Sequence, residues 1–153
     1  MNLKRLSLLL IFLCAPSFGY AEATNIAPDT RTALEHPQDF HDIASTKNLP
    51  ATVMALCLYN TNKMADPGGK WEATDDVSDD SLPRTRLIWA AAKDNLYVVH
   101  YEHGGRGHSY HLLVAALQPN GSAKAIWHAS VTKALNSLNE VDSALQSNAI
   151  DDQ

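Results

Sequence analysis

An α+β domain, built as a four-stranded antiparallel meander with helices packed on it, is the fold class this sequence predicts, and three observations predict it. Four apolar runs of strand length succeed one another between residues 86 and 129. Every gap between them carries turn residues: Asp94-Asn95, Gly104-Gly105-Arg106-Gly107 and Asn120-Gly121. Beyond the last run, apolar side chains switch to helical spacing, so the chain ends by covering the sheet it has just made.

The first segment is read as a signal for export. Lys4 and Arg5 precede the apolar run Leu6–Ala15, Pro16 breaks that run, and Gly19-Tyr20-Ala21 offers small residues where a signal peptidase inspects the chain. The run is about half the roughly 20 residues a membrane-spanning helix needs. Residues 1–21 are therefore expected to leave, with no transmembrane span in the mature chain, which works in the periplasm or outside the cell. Residues 22–35 show little periodicity and read as a flexible leader before a single α+β domain over 36–147.

Within that domain, a short helix is expected from Pro37, carrying Phe40, Ile43 and Ala44 on one side. The stretch 51–59 fits a helix or a buried strand; Pro50, well placed at a helix start, favours helix. Residues 60–83 form a loop long enough to be functional or mobile. Trp71 is expected to pin one end of it into the core. The run Asp75-Asp76-Val77-Ser78-Asp79-Asp80 lacks the spacing and turn glycine of a calcium-binding loop and reads as solvated charge.

The strands are placed at Arg86–Ala92, Leu96–His103, His108–Leu117 and Lys124–Ala129. Asn-Gly between apolar runs signals a hairpin because both residues tolerate positive φ, and Gly105-Arg106 suits the mirror-image turn that wants glycine first. A helix over 132–145 follows, with Ala134, Leu135, Leu138, Val141 and Leu145 on one face. Residues 148–153 read as a frayed acidic tail.

Charge and cysteine content narrow the function. The 153-residue chain has a net charge of −5, which becomes −7 without Lys4 and Arg5. That argues against nucleic acid, whose binding relies on Lys and Arg neutralising phosphates, and favours a basic partner. Cys14 leaves with the signal, so Cys57 has no disulfide partner and reads as a small buried hydrophobe.

Chemistry is concentrated in His100-Tyr-Glu-His-Gly-Gly-Arg-Gly-His-Ser-Tyr-His111. With Gly105-Arg106 at the turn centre, His100 faces His111, Glu102 faces Ser109, Tyr101 faces Tyr110 and His103 faces His108. With Asn120-Gly121 at the next centre, His128 faces Leu113. His100, Glu102, His111 and His128 then share one sheet face, with the donor types for zinc or another divalent transition metal, binding or hydrolytic. The pairing is sensitive, since a slip of one residue sends side chains to the other face.

The Tyr101/Tyr110 pair and the tip carrying Gly105 and Arg106 support a different reading. Tyrosines offer amphipathic contact area, and a glycine-rich loop with one arginine can enter a partner's cleft. No nucleophile elbow and no phosphate-binding glycine loop before a helix occurs. The sequence thus favours an exported, non-enzymatic binding protein, an inhibitor, immunity-like or accessory factor of the cell envelope, over the metal site.

Overall fold

The computed structural model describes residues 26–58, 62–76, 79–147 and Ile150. The export segment 1–21 and the cleavage site after Ala21 lie outside the described residues. An antiparallel sheet of five strands runs in the order β1 (His41–Ile43), β2 (Thr85–Lys93), β3 (Leu96–His103), β4 (Ser109–Leu117) and β5 (Ala123–Val131). Among the described residues three α-helices accompany it: α1 (Pro28–Leu34), α2 (Ala51–Leu56) and α3 (Leu138–Gln146). The architecture is the expected α+β meander with one strand more.

The sheet is covered on both faces, which is why four successive residues of β4, Leu112 to Ala115, are all buried. On one face Leu34 of α1 and Leu138, Val141 and Leu145 of α3 pack on Val98, Leu112, Val114, Trp127 and Ala129. On the other, Leu49, Val53 and Cys57 from α2 and its flanks pack on Leu87, Ala90, Val99, Leu113 and Ala115. Cys57 is buried as expected; burial raises its thiol pKa, and Sγ meets the Val53 carbonyl.

Several elements differ from the sequence expectation. Pro28–Leu34, read as part of a flexible leader, is helical, because its Leu34 is drawn fully into the core and Arg31 Nη2 donates to the Leu145 carbonyl at 3.0 Å. After Pro37 the chain makes only one 3-10 turn before it becomes β1, which pairs with Ala90–Ala92 on the open edge of β2. The expected helix there loses to sheet pairing with an available edge. Residues 51–56 are helical, the favoured alternative. At the C-terminus Ile150 is buried rather than frayed.

α3 starts later than predicted. The Leu135 amide N–H donates to His100 Nε2 at 3.0 Å, and the Leu135 carbonyl accepts from Trp89 Nε1 at 2.8 Å. With both backbone groups captured by sheet side chains, the helix begins after Ser137, whose hydroxyl caps the Glu140 N–H. Among the described residues, two isolated β-bridges tie the long loop to the sheet. Ala65 pairs with Arg86 beside β2, and Thr74 pairs with Gly105 at the β3–β4 tip.

Candidate functional site

The register of the β3–β4 hairpin decides which histidines meet. His103 pairs with Ser109, so the loop holds the five residues from Gly104 to His108, not the two-residue turn expected at Gly105-Arg106. The reason lies outside the hairpin. Gly104 N–H donates to Arg84 O on the β2 side, and Gly105 N–H donates to Ala73 O in the long loop. Gly104 is the residue this approach requires: an added Cβ would sit 2.0 Å from the Glu72 carbonyl oxygen. Gly105 takes φ +133°, a value glycine tolerates.

An odd loop shifts the pairing by one residue, so the opposed pairs become His100 with Leu112, Tyr101 with His111, and Glu102 with Tyr110. The next hairpin preserves its expected pairing by two departures that cancel. Its turn closes one residue early, and Ile126 then bulges out of β5, so His128 still faces Leu113.

The predicted metal face is therefore divided. His100 and Glu102 lie on the α1/α3 face, while His111 and His128 lie on the α2 face with Tyr101 and His103. His111 and His128 stack at 5.3 Å between ring centroids and 16° between planes. Imidazole lone pairs lie in the ring plane, so stacked rings do not aim them at a common ion. Among the described residues no group of three or more His, Cys, Asp or Glu is arranged to hold a metal ion.

The α2-face cluster is closed by hydrogen bonds instead. His103 Nε2 meets the Cys57 carbonyl at 2.8 Å, His111 Nε2 meets Ser109 Oγ at 2.8 Å, and His128 Nε2 meets Tyr101 Oη at 3.0 Å. Burial pushes His103 below the ordinary imidazole value; burial and the neighbouring His103 and His128 push His111 down to about 4.

The other face holds a charged constellation that sequence reasoning missed. Glu102, 2% exposed, accepts from Arg86 Nε through Oε1 and from His108 Nε2 through Oε2, each at 2.5 Å. The Arg86 guanidinium lies 4.9 Å from the Trp71 ring centroid, and Trp71 meets His108 edge-on at 5.4 Å. Trp71 thus braces Arg86 and His108 and belongs to neither core cluster, unlike its expected place. The only sequence signal for this group was the side-chain period: Glu102 on β3 faces Arg86 on β2 only once that pairing is known.

The predicted contact residues divide too. Tyr101 is 3% exposed and belongs to the core, so it offers nothing to a partner. Tyr110 is half-buried, with its ring 4.7 Å from that of His108. Gly105 and Arg106 are at the tip, and Arg106, Gly107 and His108 are exposed. The tip sits beside the acidic loop, joined to it by the Thr74–Gly105 bridge, and Asp75, Asp76, Asp79 and Asp80 are exposed there. Glu72, itself buried, accepts the Asp79 N–H at 2.8 Å. No helix of the described residues is long and apolar enough to cross a membrane.

No family model matches this chain, and searches of curated proteins and of solved structures find no match.

Proposed function

We propose that this protein is a non-enzymatic binding protein of the cell envelope, an inhibitor, immunity-like or accessory factor, that engages a basic partner through the β3–β4 tip and the adjoining acidic loop. The observation that carries the reading is the Thr74–Gly105 bridge. It joins Arg106 at the tip and the exposed carboxylates Asp75 and Asp76 into one surface. The tip is held from beneath by the Glu102 contacts to Arg86 and His108 and by the close approach of Gly104 to Glu72. A loop already held in one conformation loses little entropy on binding, which raises affinity. The carboxylates beside it favour a basic partner by electrostatic complementarity and speed its encounter.

Photo-crosslinking tests this reading. A photoreactive side chain at position 106 or 75 should give a discrete adduct in the native envelope, whereas the same group at Asn120, exposed at the opposite end of β4, should give none. Excess wild-type protein should suppress the adduct, and excess Arg106→Ala should suppress it at least about fivefold less well, as expected for an anchor contributing more than about 1 kcal/mol. Equal labelling at 106 and 120 would reject the tip as the binding surface.

A further inference from the structure

We propose that the pocket beside the half-buried Arg86 and its buried partner Glu102 is a binding site for a short organic carboxylate. The pocket holds about 220 Å³ and is lined by Arg86, Glu102 and Tyr110 together with the apolar side chains of Pro67, Ile88 and Ala134. It opens on the α1/α3 face where β2 bulges at Ile88, the extra residue between the Leu87 and Trp89 pairings.

Donor and acceptor accounting defines the ligand. Both Glu102 carboxylate oxygens are already engaged, one by Arg86 Nε and one by His108 Nε2, so Glu102 asks for no cation. Arg86 spends only Nε on Glu102. Among the described residues neither its terminal Nη groups nor the Tyr110 hydroxyl has a hydrogen-bond partner in the protein, while Trp71 holds the guanidinium plane from one side. The unspent capacity at the pocket wall is therefore mainly donors: the planar edge of a guanidinium and one hydroxyl.

A planar guanidinium edge matches two coplanar oxygens, as in a carboxylate, better than a tetrahedral ion, and an Arg–carboxylate pair of this kind is both stronger and more directional than a neutral hydrogen bond. Tyr110 adds a donor to one carboxylate oxygen. Ile88, Ala134 and Pro67 supply a surface for a short hydrocarbon tail, and the volume exceeds what a bare inorganic anion fills. Arg106 is not part of the pocket wall, so loss of the tip anchor and loss of carboxylate binding can be read separately, although Glu102 of the wall also holds His108 of the tip loop.

The test is a titration followed by amide ¹H–¹⁵N correlation spectra, with butyrate, hexanoate and 3-phenylpropionate as probes, and hexanamide and inorganic phosphate as controls. Saturable shifts are expected at residues 86, 88, 102, 110 and 134 with the carboxylates and not with the amide or phosphate. Tyr110→Phe keeps the ring against His108 and should weaken binding about tenfold, the loss of one hydrogen bond to a charged group. Arg86→Lys keeps the charge beside Glu102 but loses the fork, and should weaken it at least as much; the same spectra report whether each variant is folded. Arg106→Ala should bind as the wild type does. No saturable shift at these residues, equal shifts with hexanamide, tighter binding of phosphate, or unchanged affinity in folded Tyr110→Phe would each overturn the proposal.

Discussion

His100 shows how completely one side chain can be specified by its partners. It is fully buried, its Nδ1 lies 2.8 Å from the His111 carbonyl, and its Nε2 lies 3.0 Å from the Leu135 amide nitrogen. A carbonyl only accepts and an amide only donates, so the ring is neutral with its proton on Nδ1. Burial lowers its pKa, as it lowers those of His103 and His111. All three are bases that the folded state holds neutral and the unfolded chain protonates near pH 6.5. Between that value and the folded value the unfolded chain binds more protons, so acid favours unfolding. Stability should be full above about pH 6.5 and decline as the pH falls towards about 4, the value for His111. Melting temperatures recorded across that range should show the decline, and His111→Phe should make it shallower. A flat profile in the wild type would contradict the buried-neutral assignment. Loss from carboxylates such as Asp66, held low mainly by the hydrogen bonds from Thr46, belongs to still lower pH.

At the scale of elements, the β3–β4 tip is shaped by what lies beside it. Gly104 leaves the hairpin to contact the backbone at residues 72–73, and this close approach sets the odd loop and therefore the register of β3 against β4. Gly104→Ala places a Cβ against that backbone and should destabilise the protein by about 2 kcal/mol or more, in the range of backbone-incompatible glycine substitutions. Gly107→Ala meets open space and should change stability by no more than about 0.5–1 kcal/mol. Urea unfolding of the two variants makes the comparison. A similar cost at both positions would show that the tip is not held by the 72–73 backbone. The result bears on function as well, because a tip released from residues 72–73 also separates Arg106 from Asp75 and Asp76.

For the molecule as a whole, the main lesson is that both sheet faces need cover, and the chain recruits its N-terminal segment to supply it. Leu34 is fully buried among the side chains of α3 and the sheet, and Arg31 ties α1 to the end of α3. Leu34→Ala should therefore cost about 2–4 kcal/mol, the usual range for emptying a buried leucine site. Denaturant unfolding should show this as a lower midpoint with an unchanged slope. A change near zero would return residues 28–34 to the status of a leader.

Composition, turn chemistry and hydrophobic period determined the α+β class, the four meander strands and the presence of a C-terminal helix, and left 51–59 open between a strand and the favoured helix that the fold adopts over 51–56. These properties are local: they depend on residues within a few positions of one another, and the sequence displays such neighbours directly. Tertiary structure alone decided which histidines meet. A contact between Gly104 and residue 72, far apart in sequence, changed the loop from even to odd and moved His100 and Glu102 away from His111. The same geometry paired Glu102 with Arg86 and His108, removed Tyr101 from the surface, and turned Pro28–Leu34 from leader to helix. The physical reason is that a strand's side chains alternate between faces, so one long-range backbone contact changes the surroundings of every residue in the hairpin, while the local pattern that makes each strand a strand stays the same.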